Sequence, residues 1–132
     1  MIVVDANVVV YYAVPGPRTP LAERARESDP DWHAPLLWRS EVRNVLAGLA
    51  RRGEMDLGLA AEVMGAAQGM FGGREYEVDS TAVLERAVES GCTAYDCEYV
   101  VLAEQLGVPL VTVDRQVLRA FPRIAVALED FA

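Results

Sequence analysis

The sequence predicts an α/β fold in which a mainly parallel central sheet carries helices on both faces. Short apolar runs typical of buried strands alternate with longer segments whose apolar residues recur at helical spacing. Strands separated by helices imply right-handed crossovers and therefore a parallel sheet. The chain has 132 residues, of which 52% are hydrophobic and 24% charged. Its length and composition predict one globular domain.

The first half of the chain contains two predicted strands and four predicted helices. "IVVD" is typical of a short buried strand, and "VVVYYAV" continues as a helix. An amphipathic helix "PRTPLAERARES" and a brief strand "DWHAP" follow. Helical spacing then extends from Pro35 to Arg52, where Gly53 ends it. A helix over 56–70 is rich in Ala and Gly. Because Gly65 and Gly69 weaken it, we expect it to pack closely on the preceding helix or on another subunit.

The second half repeats the alternation. "EYEV" is a third strand, and the helices "STAVLERAVESG" and "TAYDCEYVVLAEQLG" follow it. The strand "PLVTV", a short helix "RQVLRAF" and a last strand near "IAVAL" complete the chain. Two cysteines, Cys92 and Cys97, match no zinc or redox spacing, so we expect small buried thiols.

The charge balance argues against general nucleic-acid binding. The net charge is −8, and all twelve cationic side chains are arginines. Sequence-independent affinity comes from neutralising phosphates, which an acidic surface does poorly. Carboxylates gathered around a divalent cation, however, make a protein acidic and give it a site that attracts phosphate. The apolar start lacks a preceding cation and is interrupted by Asp5 and Asn7, so we expect no signal peptide and a cytoplasmic protein.

Three aspartates stand where a strand gives way to a helix or where a helix begins. Asp5 follows the first strand, Asp114 follows "PLVTV", and Asp96 lies three residues after Thr93. Each has a structural alternative: Asp5 and Asp114 could be helix N-caps, and Thr93 with Asp96 could form a capping box. Glu41 is different because it lies on or beside the apolar stripe of its helix, where a lone carboxylate is not favoured.

Together the four acids predict a metal site. Ligands bind beyond the carboxyl ends of parallel strands, so three aspartates and a facing glutamate would converge there into an oxygen-rich pocket. Such a pocket suits Mg²⁺ or Mn²⁺. A carboxylate-held cation can supply the deprotonated water and the charge relief that phosphodiester hydrolysis requires. With one histidine, His33, the chain has no histidine pair for acid–base catalysis, and we expect His33 to be a noncatalytic residue at a strand edge.

Three stretches resemble one known family. "MIVVDANVVVYY", "LLWRSEVRNVLAGLARRG" and above all "TAYDCEYVVLAEQLGVPLVTVDRQVL" are similar to PIN-domain ribonucleases, in particular the VapC-type toxins of toxin–antitoxin pairs. The resemblance covers nearly the whole chain. It implies a three-layer PIN-like fold as a single nuclease domain over 1–132. It also implies a Mg²⁺- or Mn²⁺-dependent endoribonuclease that acts as the toxin of a type II pair, with an RNA substrate, a small cognate antitoxin and a homodimer.

By the same resemblance, four acids correspond to the family's catalytic and metal-binding quartet, and two polar residues match positions that support it. The quartet is Asp5, Glu41, Asp96 and Asp114, and the supporting residues are Asn7 and Thr112. Some members carry a further acid beyond the last position, where this chain has arginine, glutamine and valine. The number of metal ions, one or two, is therefore left open.

Three arginines near the acids are candidate contacts to RNA phosphate: Arg39, Arg43 and Arg115. The alternative for each is a solvated or ion-paired side chain. Tyr95, beside Asp96, could stack on a base, but we expect a half-buried core tyrosine.

Other classes fit less well. A receiver domain resembles the chain less because that family uses a lysine after its last strand, and a dehalogenase-type phosphatase would have a second aspartate at Asn7. The main alternative is a PIN-fold binding module with weak catalysis that pairs with an antitoxin or assembles. The sequence does not name the RNA that is cleaved.

Overall fold

The computed structural model describes all residues, 1–132, as five strands and eight helices. The strands are β1 (Ile2–Val4), β2 (Trp32–Pro35), β3 (Glu75–Tyr76), β4 (Leu110–Thr112) and β5 (Ala125–Ala127). The helices are α1 (Ala6–Ala13), α2 (Thr19–Ser28), α3 (Leu37–Arg51), α4 (Leu57–Met70), α5 (Ser80–Ser90), α6 (Ala94–Leu106), α7 (Arg115–Ala120) and α8 (Leu128–Phe131).

The five strands form one parallel sheet in the order β3-β2-β1-β4-β5. The chain builds outward from β1 to β2 and β3, and then returns to place β4 on the other side of β1. The strand order therefore reverses between β1 and β4. In open α/β sheets this reversal opens a crevice beyond the carboxyl ends of the strands, where ligands bind.

The core lies on both faces of the central strands. All three residues of β1 are buried, as expected for a strand covered on both sides. On one side α1 contacts α2, α3 and α4, and on the other α6 contacts α5 and strands β1, β2 and β4. The three largest fully buried side chains are Trp32, Trp38 and Phe71, and the last two rings pack with centroids 4.6 Å apart. The α/β architecture predicted from the alternation of elements is thus confirmed.

Differences from the predicted elements fall at the edges. The predicted strand "EYEV" is only two residues long, and Leu128 begins a short helix instead of ending the last strand. A Cβ atom placed on Gly65 or Gly69 meets no atom within 4 Å, so close packing on α3 does not account for these glycines. Cys92 and Cys97 are free and buried. The longest apolar helices are too short or too polar to cross a membrane.

Candidate active site

A cavity of about 360 Å³ lies at the carboxyl edge of the sheet, where the strand order reverses. All four predicted acids line it, and so do both predicted supporting residues. Its side chains come mainly from helices α1, α3, α6 and α7. The strands β1 and β4 meet beneath it. The lining residues discussed below are Asp5, Asn7, Ser40, Glu41, Asn44, Tyr95, Asp96, Tyr99, Thr112 and Asp114.

Asp5 is held from two sides. Its Oδ1 accepts a hydrogen bond of 3.0 Å from the backbone N–H of Val8, so it is the N-cap of α1. Its Oδ2 accepts from the hydroxyl of Thr112 and, at 3.4 Å, from the backbone N–H of Val113. The capping alternative for Asp5 is therefore correct, but capping occupies only one of its two oxygens. The other oxygen connects β1 to the end of β4.

Thr112 joins two of the acids. Its side chain is buried, and its hydroxyl donates to Asp5 while accepting a 3.1 Å hydrogen bond from the backbone N–H of Asp114. Asp114 in turn caps α7, because its Oδ1 accepts from the N–H of Val117 at 3.0 Å. No hydrogen bond within the protein reaches the second carboxylate oxygen of Asp114. That oxygen is free to bind a ligand.

Glu41 projects from α3 toward the three aspartates. The phenol of Tyr99, on α6, donates a 2.6 Å hydrogen bond to Glu41 Oε1. Tyr99 is buried, and burial, followed by the charge of Glu41, raises its pKa far above the ordinary range. The phenol is therefore a neutral, permanent donor. It fixes one oxygen of Glu41 and leaves the other available.

Asp96 lies in the first turn of α6, but its carboxylate does not cap the helix. The N-cap of α6 is Thr93, whose hydroxyl accepts a 3.0 Å hydrogen bond from the backbone N–H of Asp96. The negative side chain in the first turn still interacts favourably with the helix dipole. Thr93 thus starts the helix and leaves the carboxylate of Asp96 facing the cavity.

The cavity disfavours negative charge in the absence of a cation. Burial raises the pKa of Asp5, and the charge of Glu41 adds to this effect. Burial likewise raises the pKa of Glu41 and that of Asp96, with added contributions from Asp96 and Asp114, respectively. Adjacent to them on α6, Glu98 has its pKa raised by burial and by Glu41. Crowded, partly desolvated carboxylates of this kind are typical of functional sites.

The donor set matches a hard divalent cation. All four acids offer oxygen, the ligand type that Mg²⁺ and Mn²⁺ prefer, and no thiolate or imidazole lines the cavity. The side chains do not stand as a closed ligand cluster: no group of three or more histidine, cysteine, aspartate or glutamate side chains is arranged to hold one ion. A cation would therefore have to draw the carboxylates together.

None of the three predicted phosphate-binding arginines lines this cavity. Arg39 instead donates from Nε and Nη2 to the two carboxylate oxygens of Glu75 on β3, at 2.7 and 2.9 Å. Its guanidinium is occupied, which corrects the expectation of a phosphate contact in favour of the ion-paired alternative. Arg43 is exposed on α3, and Arg115 lines a second, smaller cavity.

Several cavity residues were not predicted. Tyr99 lies three residues after Asp96 and Asn44 three after Glu41, so helical spacing from the known acids would have found these two. Ser40 directly precedes Glu41 and does not follow from that spacing. Tyr95 is 64% exposed at the cavity, so the expectation of a half-buried core tyrosine was wrong.

His33 also differs from expectation. It is buried in β2, an interior strand of the sheet, and its ring nitrogens lie 2.7 Å from Tyr76 Oη and 2.9 Å from Asp31 Oδ1. It does not line the acidic cavity.

Comparison with known proteins identifies relatives along most of the chain. The family model described as PIN domain matches residues 2–126. Ribonuclease VapC3 of Pyrobaculum aerophilum is 34% identical over an alignment 128 residues long, which covers 93% of this chain and 96% of that protein. The crystal structure of PAE2754 from Pyrobaculum aerophilum superposes with a TM-score of 0.76 at 29% identity, covering 97% of this chain and 90% of that one. FitAcB from Neisseria gonorrhoeae shares the fold, with a TM-score of 0.73 at 18% identity and coverages of 97% and 98%.

Proposed function

Because the chain belongs to the PIN-domain family and to its VapC ribonuclease type, we propose that it is a metal-dependent endoribonuclease, the toxin of a type II toxin–antitoxin pair. The observation that carries this proposal is the convergence of four carboxylates on one cavity at the reversal of the strand order. The nuclease is one domain that spans residues 1–132. It acts in the cytoplasm.

The acids Asp5, Glu41, Asp96 and Asp114 would hold Mg²⁺ or Mn²⁺. When bound, the cation lowers the pKa of a water molecule and neutralises charge on the phosphate and on the leaving oxygen. The protein contributes carboxylates in which hydrogen bonds hold some oxygens in place while other oxygens remain available to the cation. Asp114 and Glu41 each have one oxygen held by the protein and one available.

Hydrogen bonds from the protein orient the site before a ligand arrives. Thr112 and the backbone at Val113 hold Asp5 against β4, and Tyr99 holds Glu41 against α6. Such second partners of a metal ligand fix its orientation and strengthen metal binding. Asn7, exposed in the first turn of α1, supplies a polar side chain at the rim of the cavity.

The exposed ring of Tyr95 provides a surface on which an unpaired base can stack. It adjoins Asp96, and 64% of its surface is accessible at the cavity. Proteins that read single-stranded RNA stack bases on aromatic side chains in this way. We therefore propose single-stranded RNA, or a looped segment of a folded RNA, as the substrate class.

Two partners complete the proposal. A small antitoxin would occlude the acidic cavity, and the chain would form an isologous homodimer. Leu57 and Leu59 on α4 are 74% and 47% exposed, and Gly65 and Gly69 on the same helix have open space around them, so α4 is a surface on which a second chain could approach closely. Light scattering at micromolar concentration should report a dimer. A monomer would contradict the proposed homodimer. Failure of every small protein encoded next to this chain to neutralise its toxicity would contradict the proposed antitoxin.

The catalytic proposal is tested by incubating the purified chain with single-stranded RNA in Mg²⁺, Mn²⁺ or EDTA. We expect cleavage with either metal, none in EDTA, and none with Asp96→Asn. Wild-type protein that binds an antitoxin but cuts no RNA under any metal condition would instead support the catalytically weak binding module. Sequencing the RNA ends that appear after expression in cells would then identify the cleaved RNA.

A further inference from the structure

A second cavity of about 140 Å³ lies on the other side of the carboxyl end of β4. Its lining residues come from the ends of β4 and β5 and from helices α2, α7 and α8. Two arginines line it: Arg18, immediately before α2, and Arg115, at the start of α7. No arginine lines the acidic cavity, whereas the second cavity is lined by two arginines and one acid.

Both guanidinium groups are available for a ligand. Neither Arg18 nor Arg115 forms an ion pair. They share this with six other arginines of the chain, whereas Arg39, Arg52, Arg74 and Arg86 each pair with an acid. The acid that lines the same cavity, Glu129, is exposed and pairs with neither. An arginine that has no carboxylate partner in an acidic protein retains its full capacity to bind an anion.

Arg18 is also partly preorganised. Its Nη1 donates a 2.9 Å hydrogen bond to the phenol of Tyr11, and its guanidinium carbon lies 5.3 Å from the centre of that ring. The bond occupies one of five N–H donors and leaves the others unpaired. Holding the guanidinium in place reduces the entropy that is lost when it binds a ligand.

Thr112 separates the two cavities by the width of one residue. It lines both, and its hydroxyl holds Asp5 on the acidic side. An RNA strand whose scissile phosphate lies in the acidic cavity therefore passes directly by the cationic one. Two arginines line this one recess, and a phosphate accepts bidentate hydrogen bonds from guanidinium groups.

We propose that Arg18 and Arg115 together bind a backbone phosphate adjacent to the scissile one, and so set the path of the RNA strand past the metal site. This proposal rests on the proposed ribonuclease function and adds the substrate subsite. It explains how a protein with a net charge of −8 holds a polyanion, because two of its cations lie beside the metal site.

The first test does not depend on RNA cleavage. NMR spectra of the 132-residue protein are recorded during titration with inorganic phosphate, and with acetate at matched ionic strength. We expect phosphate alone to shift the arginine side-chain signals of Arg18 and Arg115. Arg119→Gln is the matched control because it removes the same charge from α7 at an exposed residue outside the cavity. It should leave the response intact, whereas Arg18→Gln and Arg115→Gln should abolish it.

The second test measures cleavage of a single-stranded RNA in Mg²⁺. Arg18→Gln and Arg115→Gln should each raise KM about tenfold, the effect of losing one charge-assisted hydrogen bond, while Arg119→Gln does not. Because one phosphate is lost in either case, the double variant should reduce the salt slope of log(1/KM) by about 0.7 and not by twice that value. The gain in melting temperature with Mg²⁺ should be the same in Arg18→Gln, Arg115→Gln and Arg119→Gln as in the wild type.

Equal KM values for Arg18→Gln, Arg115→Gln and Arg119→Gln would overturn the proposal, and so would an identical response to phosphate and acetate. If the wild type binds phosphate at this cavity but cuts no RNA, the ribonuclease function fails while the anion site stands. If RNA is cut normally by Arg18→Gln and Arg115→Gln, the function stands and the subsite fails.

Discussion

Four helices of this protein have an aspartate as their N-cap residue. Two of these aspartates line the acidic cavity, whereas the other two are exposed to solvent. In each case the carboxylate accepts a hydrogen bond from the backbone N–H three residues further on. The distances are alike: 3.0 Å for Asp5, 3.3 Å for Asp56, 2.9 Å for Asp79 and 3.0 Å for Asp114. Locally the four positions are equivalent, since each stabilises a helix start in the same way.

Their surroundings separate them. Asp56 and Asp79 are exposed, and the rest of the carboxylate meets water. Asp5 and Asp114 stand at the ends of adjacent strands, joined through the hydroxyl of Thr112. A cap uses only one oxygen at each of these two positions. The second oxygen of Asp114 has no hydrogen-bond partner in the protein, whereas that of Asp5 accepts from Thr112 and Val113, so capping alone does not exclude a ligand at either position. The outer pair provides natural controls for the inner pair.

The largest difference should appear in catalysis. Asn caps a helix about as well as Asp does, so Asp114→Asn keeps the bond to Val117 but removes the charge. We expect RNA cleavage to fall by at least about a hundredfold, the order seen when one group that stabilises transition-state charge is removed. Asp79→Asn should cut RNA at the wild-type rate. Comparable rates for the two variants would show that Asp114 serves only as a cap.

Metal binding should separate the pairs next. At a concentration about 100 times its dissociation constant, Mg²⁺ or Mn²⁺ should stabilise the wild type by roughly 2.7 kcal/mol, because the cation binds the folded cavity and hardly the unfolded chain. Asp79→Asn should gain the same amount, and Asp96→Asn should lose most of it. Thermal melts with metal and with EDTA measure the difference. An identical response in all three proteins would exclude the cavity as the metal site.

The hydrogen bond from Tyr99 extends the comparison to Glu41. Tyr99→Phe removes only the hydroxyl that orients this carboxylate, and loss of such a second partner typically weakens metal binding 10- to 100-fold. We expect an effect of about tenfold in the metal dissociation constant measured by calorimetry. Tyr95→Phe is the matched control, because Tyr95 lines the same cavity from α6 but bonds to no acid. Equal affinities in the two variants would show that Glu41 needs no such support.

The pH dependence of stability should also distinguish inner from outer acids. Burial raises the folded-state pKa of Asp5, Glu41 and Asp96. As the pH rises, the unfolded chain loses these protons near the ordinary carboxyl value of about 4, while the folded protein keeps them until its higher pKa values are reached. Stability is therefore greatest below that window and is lost as the pH rises through it.

In EDTA, urea unfolding should accordingly give a higher unfolding free energy near the ordinary carboxyl pKa of about 4 than at pH 7. The gain should shrink in Asp96→Asn and persist in Asp79→Asn, which changes the net charge by the same amount. If both variants lose the gain equally, general charge repulsion and not the cavity is its source.

The smallest expected effect is that of removing a solvent-exposed helix cap on the unfolding free energy. Asp79→Ala should lower the unfolding free energy by about 1 kcal/mol and Asp79→Asn should hardly change it, since only alanine removes the acceptor. Neither should alter the response to Mg²⁺. Chemical denaturation of the two variants provides the measurement. A metal response that changed with Asp79→Ala would mean that the outer caps also influence the cavity.

These differences also explain what the sequence could and could not predict. Short apolar runs that alternate with helical segments predicted the parallel sheet, because a strand buried on both faces is apolar at consecutive positions and local sequence records this. The ends of strands β3 and β5 were misplaced, since "EYEV" and "IAVAL" satisfy strand propensity beyond the residues that find a partner. Tertiary pairing, which sets those ends, is not visible in the pattern.

At the site, the sequence identified carboxylates at strand ends and on the stripe of a helix, and all four line one cavity. It did not identify the bond from Tyr99 to Glu41, two residues that lie 58 positions apart on different helices. It also placed Arg39 beside the acids by helical spacing, whereas a partner on a distant strand, Glu75, holds its side chain. Contacts within one helix follow from spacing, but contacts between elements depend on the assembled fold.

The double use of Asp5 and Asp114 has a genetic consequence. Either aspartate codon becomes an asparagine codon through one transition at its first base. That change preserves a helix cap and removes the charge, so a lineage under pressure to silence this chain has an inactivating route that leaves the fold intact. Survivors of its forced expression should therefore include full-length proteins with Asp→Asn changes as well as truncations. Under the proposed function, such proteins would still bind the antitoxin, and a silenced copy of the gene would act as a decoy in the cell.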